Sequence, residues 1–225
     1  MQWLYILILG LGISMVFVLL VYLWIKFNFN PTETGKISDN IICIKNSIAN
    51  VYLYMKDSDY VLIDAGIFSK SLKNELNKMG INLREISHIF ITHSDLDHIG
   101  GLSIFNNVDV YIGEGSRIKD PDKFHFLKDN EEVKVGAIKV KAVDTPGHRN
   151  GHFSYLIDDK YLFTGDLLRI DKGKIKPFFK IISNNYDRLI ESIKKIIAIP
   201  DLQMILTAHT GYLTDIENSI DKWTE

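Results

Sequence analysis

Cysteine is almost absent: the 225-residue chain carries one, Cys43. A single thiol excludes an internal disulfide framework and a CxxC-type zinc site. Its neighbours Ile41, Ile42 and Ile44 predict a small buried residue in a strand. An excess of charge of one sign is also missing. Lys and Arg number 26 against 28 Asp and Glu, for a net charge of −2. No block of like charge stands out, so the basic footprint of a nucleic-acid binder is lacking and no such partner is expected. There is no internal repeat and no low-complexity tract. Beyond the N-terminal run, the residues read as one compact domain with enough length to bury a core.

The N-terminal run itself is present in force. Trp3 to Ile25 is apolar apart from Gly10, Gly12 and Ser14. As a helix it would extend roughly 35 Å, enough for a bilayer core. Trp3 and Tyr5 stand at one end, Tyr22 and Trp24 at the other, where aromatic belts belong. A cleaved signal peptide is the rival, but Met1-Gln2 offers no basic n-region and Ile25-Lys26-Phe27 no small-residue cleavage site. The run therefore predicts a single-pass membrane anchor over 3–25, followed by a linker over 26–40 that contains Pro31 and Gly35. Lys26 and Lys36 follow the span and no basic residue precedes it, which predicts a cytoplasmic domain by the positive-inside rule.

From residue 41 onward, β-branched and aromatic stretches predict strands at 41–45, 51–56, 60–63, 86–91, 108–112, 132–135, 138–143, 153–157, 160–164 and 204–207. Leu72, Leu76 and Met79 at helical spacing predict a helix over 69–79, closed by Gly80. Leu189, Ile190, Ile193, Ile196 and Ile197 form one stripe of a helix over 187–199. A last helix is expected over 214–223. Strands and helices are interspersed, and sheets packed together with helices outside are one layered solution among several.

Four short segments carry the chemistry. Thr92-His93-Ser94-Asp95-Leu96-Asp97-His98 puts four imidazole or carboxylate groups into six residues at the end of an apolar strand. Such ligands suit zinc, iron or manganese. Alone, the loop also has a plainer reading as a solvated polar turn, with Asp97 as a helix cap. Three further strand ends each add one ligand beside a glycine: Pro146-Gly147-His148, Gly165-Asp166 and Ala208-His209-Thr210-Gly211. Any one is commonplace; all four in this order point to a metal centre.

These motifs, with the strand end Leu62-Ile63-Asp64-Ala65-Gly66, make the chain resemble the metallo-β-lactamase superfamily from Ile41 to the C-terminus. The resemblance implies an α+β fold, a four-layer αβ/βα sandwich, here preceded by one N-terminal transmembrane helix, with 41–225 as the catalytic domain. It implies seven metal ligands: His93, Asp95, Asp97, His98, His148, Asp166 and His209. One ion would sit on His93, Asp95 and His148, the other on Asp97, His98 and His209, with Asp166 and a water bridging. The two divalent ions would be zinc, with iron or manganese as alternatives.

The implied function is metal-dependent hydrolysis, in which a hydroxide bridging the metals attacks an ester, thioester, lactone, amide or phosphoester, and Asp97 and Asp166 orient the water. The substrate would be a small or lipid-like molecule. A di-iron oxidoreductase of the same fold is the alternative, without a flavin domain in this chain. Asp95 departs from the family pattern, which usually has histidine there, and a carboxylate shifts preference towards harder metals. Asp64 is expected behind the site rather than in it. His152 is weighed as a supporting or a structural histidine, and His88 and His125 as bystanders. Arg169, with the basic stretch Lys172, Lys174, Lys176 and Lys180, reads as an anion grip, a lid over the cleft, or a patch facing anionic lipid headgroups.

Overall fold

The structure is a computed structural model that describes residues 2–220; of residues 2–11 and 13 it describes the backbone only. It divides into two compact units, residues 1–30 and 31–225. The first is helix α1 (Gln2–Asn28), closed by a bond from the Phe29 N–H to the Ile25 carbonyl. The expected membrane anchor and the orientation drawn from it require correction. Among the described residues no helix is long and apolar enough to cross a membrane. The part of α1 whose side chains are described falls short of the ~20 apolar residues a crossing needs. The remaining side chains of the expected 3–25 span lie outside the described residues.

The second unit begins with a seven-stranded sheet in sequential order. Its strands are β1 (Gly35–Lys36), β2 (Ile41–Asn46), β3 (Ala49–Lys56), β4 (Asp59–Ile63), β5 (Ile86–Ile91), β6 (Asp109–Gly113) and β7 (His125–Leu127). β1 to β4 pair antiparallel, β4 to β7 parallel. The parallel crossover from β4 to β5 carries α2 (Ser69–Lys78), which buries Leu72 and Leu76. A second sheet follows from β8 (Glu132–Val135), β9 (Ile138–Asp144), β10 (Phe153–Ile157) and β11 (Tyr161–Phe163). The chain then makes a separate hairpin, β12 (Leu168–Asp171) with β13 (Lys174–Pro177), and a helix, α3 (Tyr186–Ile197). It returns to the second sheet as β14 (Met204–Thr207) and β15 (Gly211–Leu213), giving the order β15-β14-β11-β10-β9-β8.

Burial explains why the sheets stack. In β2, alternate side chains point to opposite faces, yet all four of Ile41, Ile42, Cys43 and Ile44 are buried. Ile41 and Cys43 join Tyr52, Tyr54, Val61, Ile63 and Phe90 against Val140, Ala142, Tyr155, Phe163 and Leu206 of the second sheet. Ile42 and Ile44 join Leu53, Leu62, Ile89 and Ile91 under Leu72 and Leu76 of α2. A sheet covered on both faces reads as continuous apolar runs rather than as alternation. Cys43 therefore lies in the inter-sheet core, where burial pushes its thiol up to about 12.

Several elements depart from expectation. Residues 35 and 36, assigned to the linker, form edge strand β1; β7, which begins at His125, β15 and the β12–β13 hairpin were not anticipated. All are short or polar, so the hydrophobic period that marks a strand has too few residues to register. The helix expected over 214–223 is a single 3₁₀ turn, Glu217–Ser219, and its remainder from residue 221 lies outside the described residues.

Candidate metal centre

Cross-sheet hydrogen bonds fix the strand ends against one another. The Tyr155 hydroxyl of β10 donates to the Ile91 carbonyl at the end of β5 (2.8 Å), and the Phe153 N–H donates to the Thr92 carbonyl (2.8 Å). At the other end, Tyr52 Oη of β3 donates to the Thr207 carbonyl (2.8 Å) and the Asn50 N–H to the Ala208 carbonyl (2.6 Å). The loop after β5 of one sheet and the loops after β9, β11 and β14 of the other thus meet along a single edge. There the chain packs tightly. A Cβ on Gly101 would come within 2.0 Å of the Ala65 carbonyl oxygen, and one on Gly147, whose φ is +140°, within 2.4 Å of the Leu189 backbone.

Six of the seven expected ligands converge at this edge in two groups, and Asp95 falls in neither. His93, His148 and Asp166 form one, Asp97, His98 and His209 the other. Asp166 joins them. Its Oδ2 lies 3.4 Å from His148 Nε2 and 3.9 Å from His93 Nε2. Its Oδ1 lies 3.1 Å from His209 Nε2 and 3.5 Å from His98 Nε2. Asp97 Oδ2 is 3.5 Å from His209 Nε2 and 3.8 Å from His98 Nε2. Asp95 Oδ2 is 3.5 Å from His148 Nε2 and 3.6 Å from His93 Nε2. Two donors each bound about 2.1 Å from one tetrahedral ion stand about 3.4 Å apart, so these separations fit ligands around shared cations. The Nε2 atoms of His93, His98 and His148 are buried and have no hydrogen-bond partner among the described residues. Buried polar atoms of this kind call for a partner, and an ion in each of the two ligand groups would supply it. On both counts the residues fit a pair of metals.

The far side of each ring is organised differently. His98 Nδ1 contacts Asp64 Oδ2 (2.8 Å) and His209 Nδ1 the Ile48 carbonyl (2.6 Å), so both turn Nε2 inward. Thr92 Oγ1 stands 3.1 Å from His93 Nδ1. Asp64 sits behind the centre as expected, at a left-handed φ of +60°. Its carboxylate accepts from the Thr92 N–H (2.8 Å) and hydroxyl (2.9 Å) as well as facing His98. His152 takes the supporting role. Its Nδ1 lies 3.0 Å from the Thr145 carbonyl, and Nε2 accepts the Asp166 N–H at 3.2 Å. Burial, with His148 close by, holds His152 down to about 3 and hence neutral.

Charge is balanced inside the edge. Burial opposes ionisation of Asp166, but the imidazoles of His209, His98 and His148 outweigh it and hold the carboxyl well below its usual range. Burial, aided by His98, keeps His93 well below the ordinary imidazole value, the neutral form that a ligand needs.

The remaining residues lie elsewhere. His125 Nε2 meets Asp109 Oδ1 at 3.0 Å, and both His88 and His125 stack on Tyr111, outside either ligand group. Arg169 opens the β12–β13 hairpin, 3.4 Å from Asp171 and 5.0 Å above the Phe179 ring. Its Nε is buried without a hydrogen-bond partner among the described residues. Lys172, Lys174 and Lys176 belong to the same hairpin. One residue escaped sequence reasoning: Arg149. Its Nε donates to Asp95 Oδ1 (2.9 Å) and its Nη2 lies 2.7 Å from Asp95 Oδ2. The available signal was a cation directly following His148, in a chain with an extra carboxylate among its ligands.

The metallo-beta-lactamase superfamily model matches residues 45–209, and the chain belongs to that family. Among its relatives, a hydroxyacylglutathione hydrolase of Dictyostelium discoideum is 32% identical over 145 residues, 59% of this chain and 51% of the relative. A beta-lactamase-like protein 2 homolog of Caenorhabditis elegans is 28% identical over 189 residues, 78% of this chain and 60% of the relative. The chain thus spans between half and two thirds of the length of these two relatives. An archaeal metallo-beta-lactamase superfamily protein from Sulfolobus tokodaii superposes with a TM-score of 0.62 at 24% identity, covering 80% of this chain and 84% of that one. At that identity the likeness concerns the fold alone.

Proposed function

We propose that the chain is a metal-dependent hydrolase that cleaves an acyl thioester or ester, with two divalent ions held by His93, Asp95 and His148 on one side, Asp97, His98 and His209 on the other, and Asp166 between. The observation that carries this reading is the division of the Asp166 carboxylate, one oxygen facing His93 and His148 and the other His98 and His209. Bound divalent ions supply Lewis acidity and lower the pKa of water towards about 7. The chain's own residues do the rest. Asp166 spaces the two ligand groups, Asp97 accepts a hydrogen bond from the attacking water, and burial keeps His93 neutral.

The substrate class draws support from two sources. The name of the Dictyostelium discoideum relative specifies hydroxyacylglutathione, by its chemistry a thioester. Beside the ligand loop runs a groove of about 530 Å³. Leu96, Ile99, Ile118 and Phe124 give it apolar walls, and Arg117 and Lys119 add positive charge. That lining suits an acyl chain on an anionic carrier.

The test is thiol release from a panel of acyl thioesters, followed with a thiol dye, by protein loaded with zinc or manganese. Asp166→Ala should remove at least a hundredfold of the turnover. Wild-type protein carrying two ions yet inert on every thioester and ester would refute the proposal.

A further inference from the structure

Asp95 holds an unusual position for a carboxylate that is to bind metal, because a cation already grips it. Arg149 meets both of its oxygens, Nε to Oδ1 at 2.9 Å and Nη2 to Oδ2 at 2.7 Å. The guanidinium is itself anchored: Nη1 donates to the His148 carbonyl (2.9 Å) and to the Ile182 carbonyl (2.6 Å). Asn184 and Asn185 tie the same segment back, their N–H groups donating to the His148 (3.0 Å) and Gly147 (2.8 Å) carbonyls. Arg149 therefore links three pieces of chain that are remote in sequence: the ligand loop, the His148 turn and the segment before α3. Asp95 also occupies the N-cap of the short helix Leu96–Ile99, yet its side chain makes no capping bond. The carboxylate is directed to Arg149 and the site instead.

We infer that Arg149 is a positioning residue that makes Asp95 usable as a metal ligand. The inference rests on the metal centre proposed above. Geometry supplies the first reason. A forked guanidinium occupies one lone pair on each carboxylate oxygen. That leaves Oδ2, 3.5 and 3.6 Å from the Nε2 atoms of His148 and His93, with its other lone pair towards the metal position. Asp95 then binds through one oxygen and presents the single donor an imidazole would present. Charge supplies the second. Asp95, Asp97 and Asp166 would leave two divalent ions with one net positive charge. The guanidinium adds one more, restoring the total that two carboxylates and a neutral imidazole at position 95 would leave. The fork also fixes the carboxylate plane, which a lysine ammonium would not do.

The decisive experiment is a double-variant cycle on metal affinity. Wild type, Arg149→Gln, Asp95→His and the double variant are titrated with zinc against a chromophoric chelator, and metal content is counted by elemental analysis. Loss of a residue that orients a ligand typically lowers metal affinity about 10–100-fold. Arg149→Gln should weaken one of the two ions, the one assigned to His93, Asp95 and His148, by that factor in the Asp95 protein. In the Asp95→His background it should change affinity less than threefold or improve it, because no carboxylate remains to orient or neutralise. A role confined to tying the segments together would give the same loss in both backgrounds and overturn the inference, as would Arg149→Gln binding both ions like wild type. Melting of the metal-free proteins checks the fold. Should Arg149→Gln not fold, Arg149→Lys, which keeps the charge and loses the fork, takes its place in both backgrounds. A wild-type chain that takes up no divalent ion would instead sink the metal reading itself.

Discussion

Replacing Asp64 by asparagine should loosen the ion on the Asp97–His98–His209 side without unfolding the protein. Asp64 touches no proposed substrate position. It holds His98 Nδ1 at 2.8 Å and accepts from the Thr92 N–H and hydroxyl at 2.8 and 2.9 Å. An asparagine keeps one acceptor oxygen. Its NH2 group must then face either His98 Nδ1 or the Thr92 N–H, donor against donor when the His98 proton sits on Nδ1. A hydrogen bond to a charged group contributes about 1.5–3 kcal/mol, equivalent to about 10–150-fold in a binding constant. The backbone is not the cause of any loss, because the left-handed φ of +60° at this position suits asparagine as well as aspartate. Alanine would confound the two effects. The measurement is zinc affinity by chelator competition, beside thermal unfolding of the metal-free variant. An affinity within threefold of wild type would refute the claim that Asp64 sets the orientation of His98.

Gly101→Ala should destabilise the fold and disturb the site together. Its Cβ would meet the Ala65 carbonyl at 2.0 Å, where the Ala65 N–H also donates to the His98 carbonyl at 2.7 Å. Overpacking of this kind costs about 1–3 kcal/mol, or a fall in Tm of roughly 2–12 °C for a chain of this size; an unchanged Tm would contradict the packing described. Cys43 should resist a thiol reagent at pH 8 in the native protein and react promptly in denaturant. Burial raises its pKa to about 12, above the ordinary thiol value of about 8.5. The stability this adds is fully present below about pH 8.5 and is lost as pH rises towards 12. Melting curves across pH 8 to 11 that show no decline attributable to Cys43, judged against Cys43→Ala, would contradict that burial.

Part of this architecture was legible because local physics records it. Strands β2 to β6 and β8 to β11 announce themselves through β-branched and aromatic residues, continuous where both faces are covered, as in β2, and alternating with charged residues where one face is less covered, as in β8 and β9. The ligand segments were legible because each follows such a run and ends on a glycine or a Pro-Gly turn. The N-terminal run shows the limit of hydropathy alone. It predicted a membrane crossing, whereas among the described residues no helix is long and apolar enough for one.

Chain chemistry by itself determined that His93, Asp95, Asp97, His98, His148, Asp166 and His209 stand at strand ends, and that one buried thiol and a balanced charge accompany them. Tertiary structure alone decided how those ends face one another. Asp166 divides its oxygens between two histidine groups only because β5 and β14 are pinned across the sheets by Tyr155 and Tyr52. Arg149 meets Asp95 only because the His148 turn folds onto a loop 54 residues earlier. Pairings of that kind depend on distance through space, and a linear pattern of residue types carries no term for it.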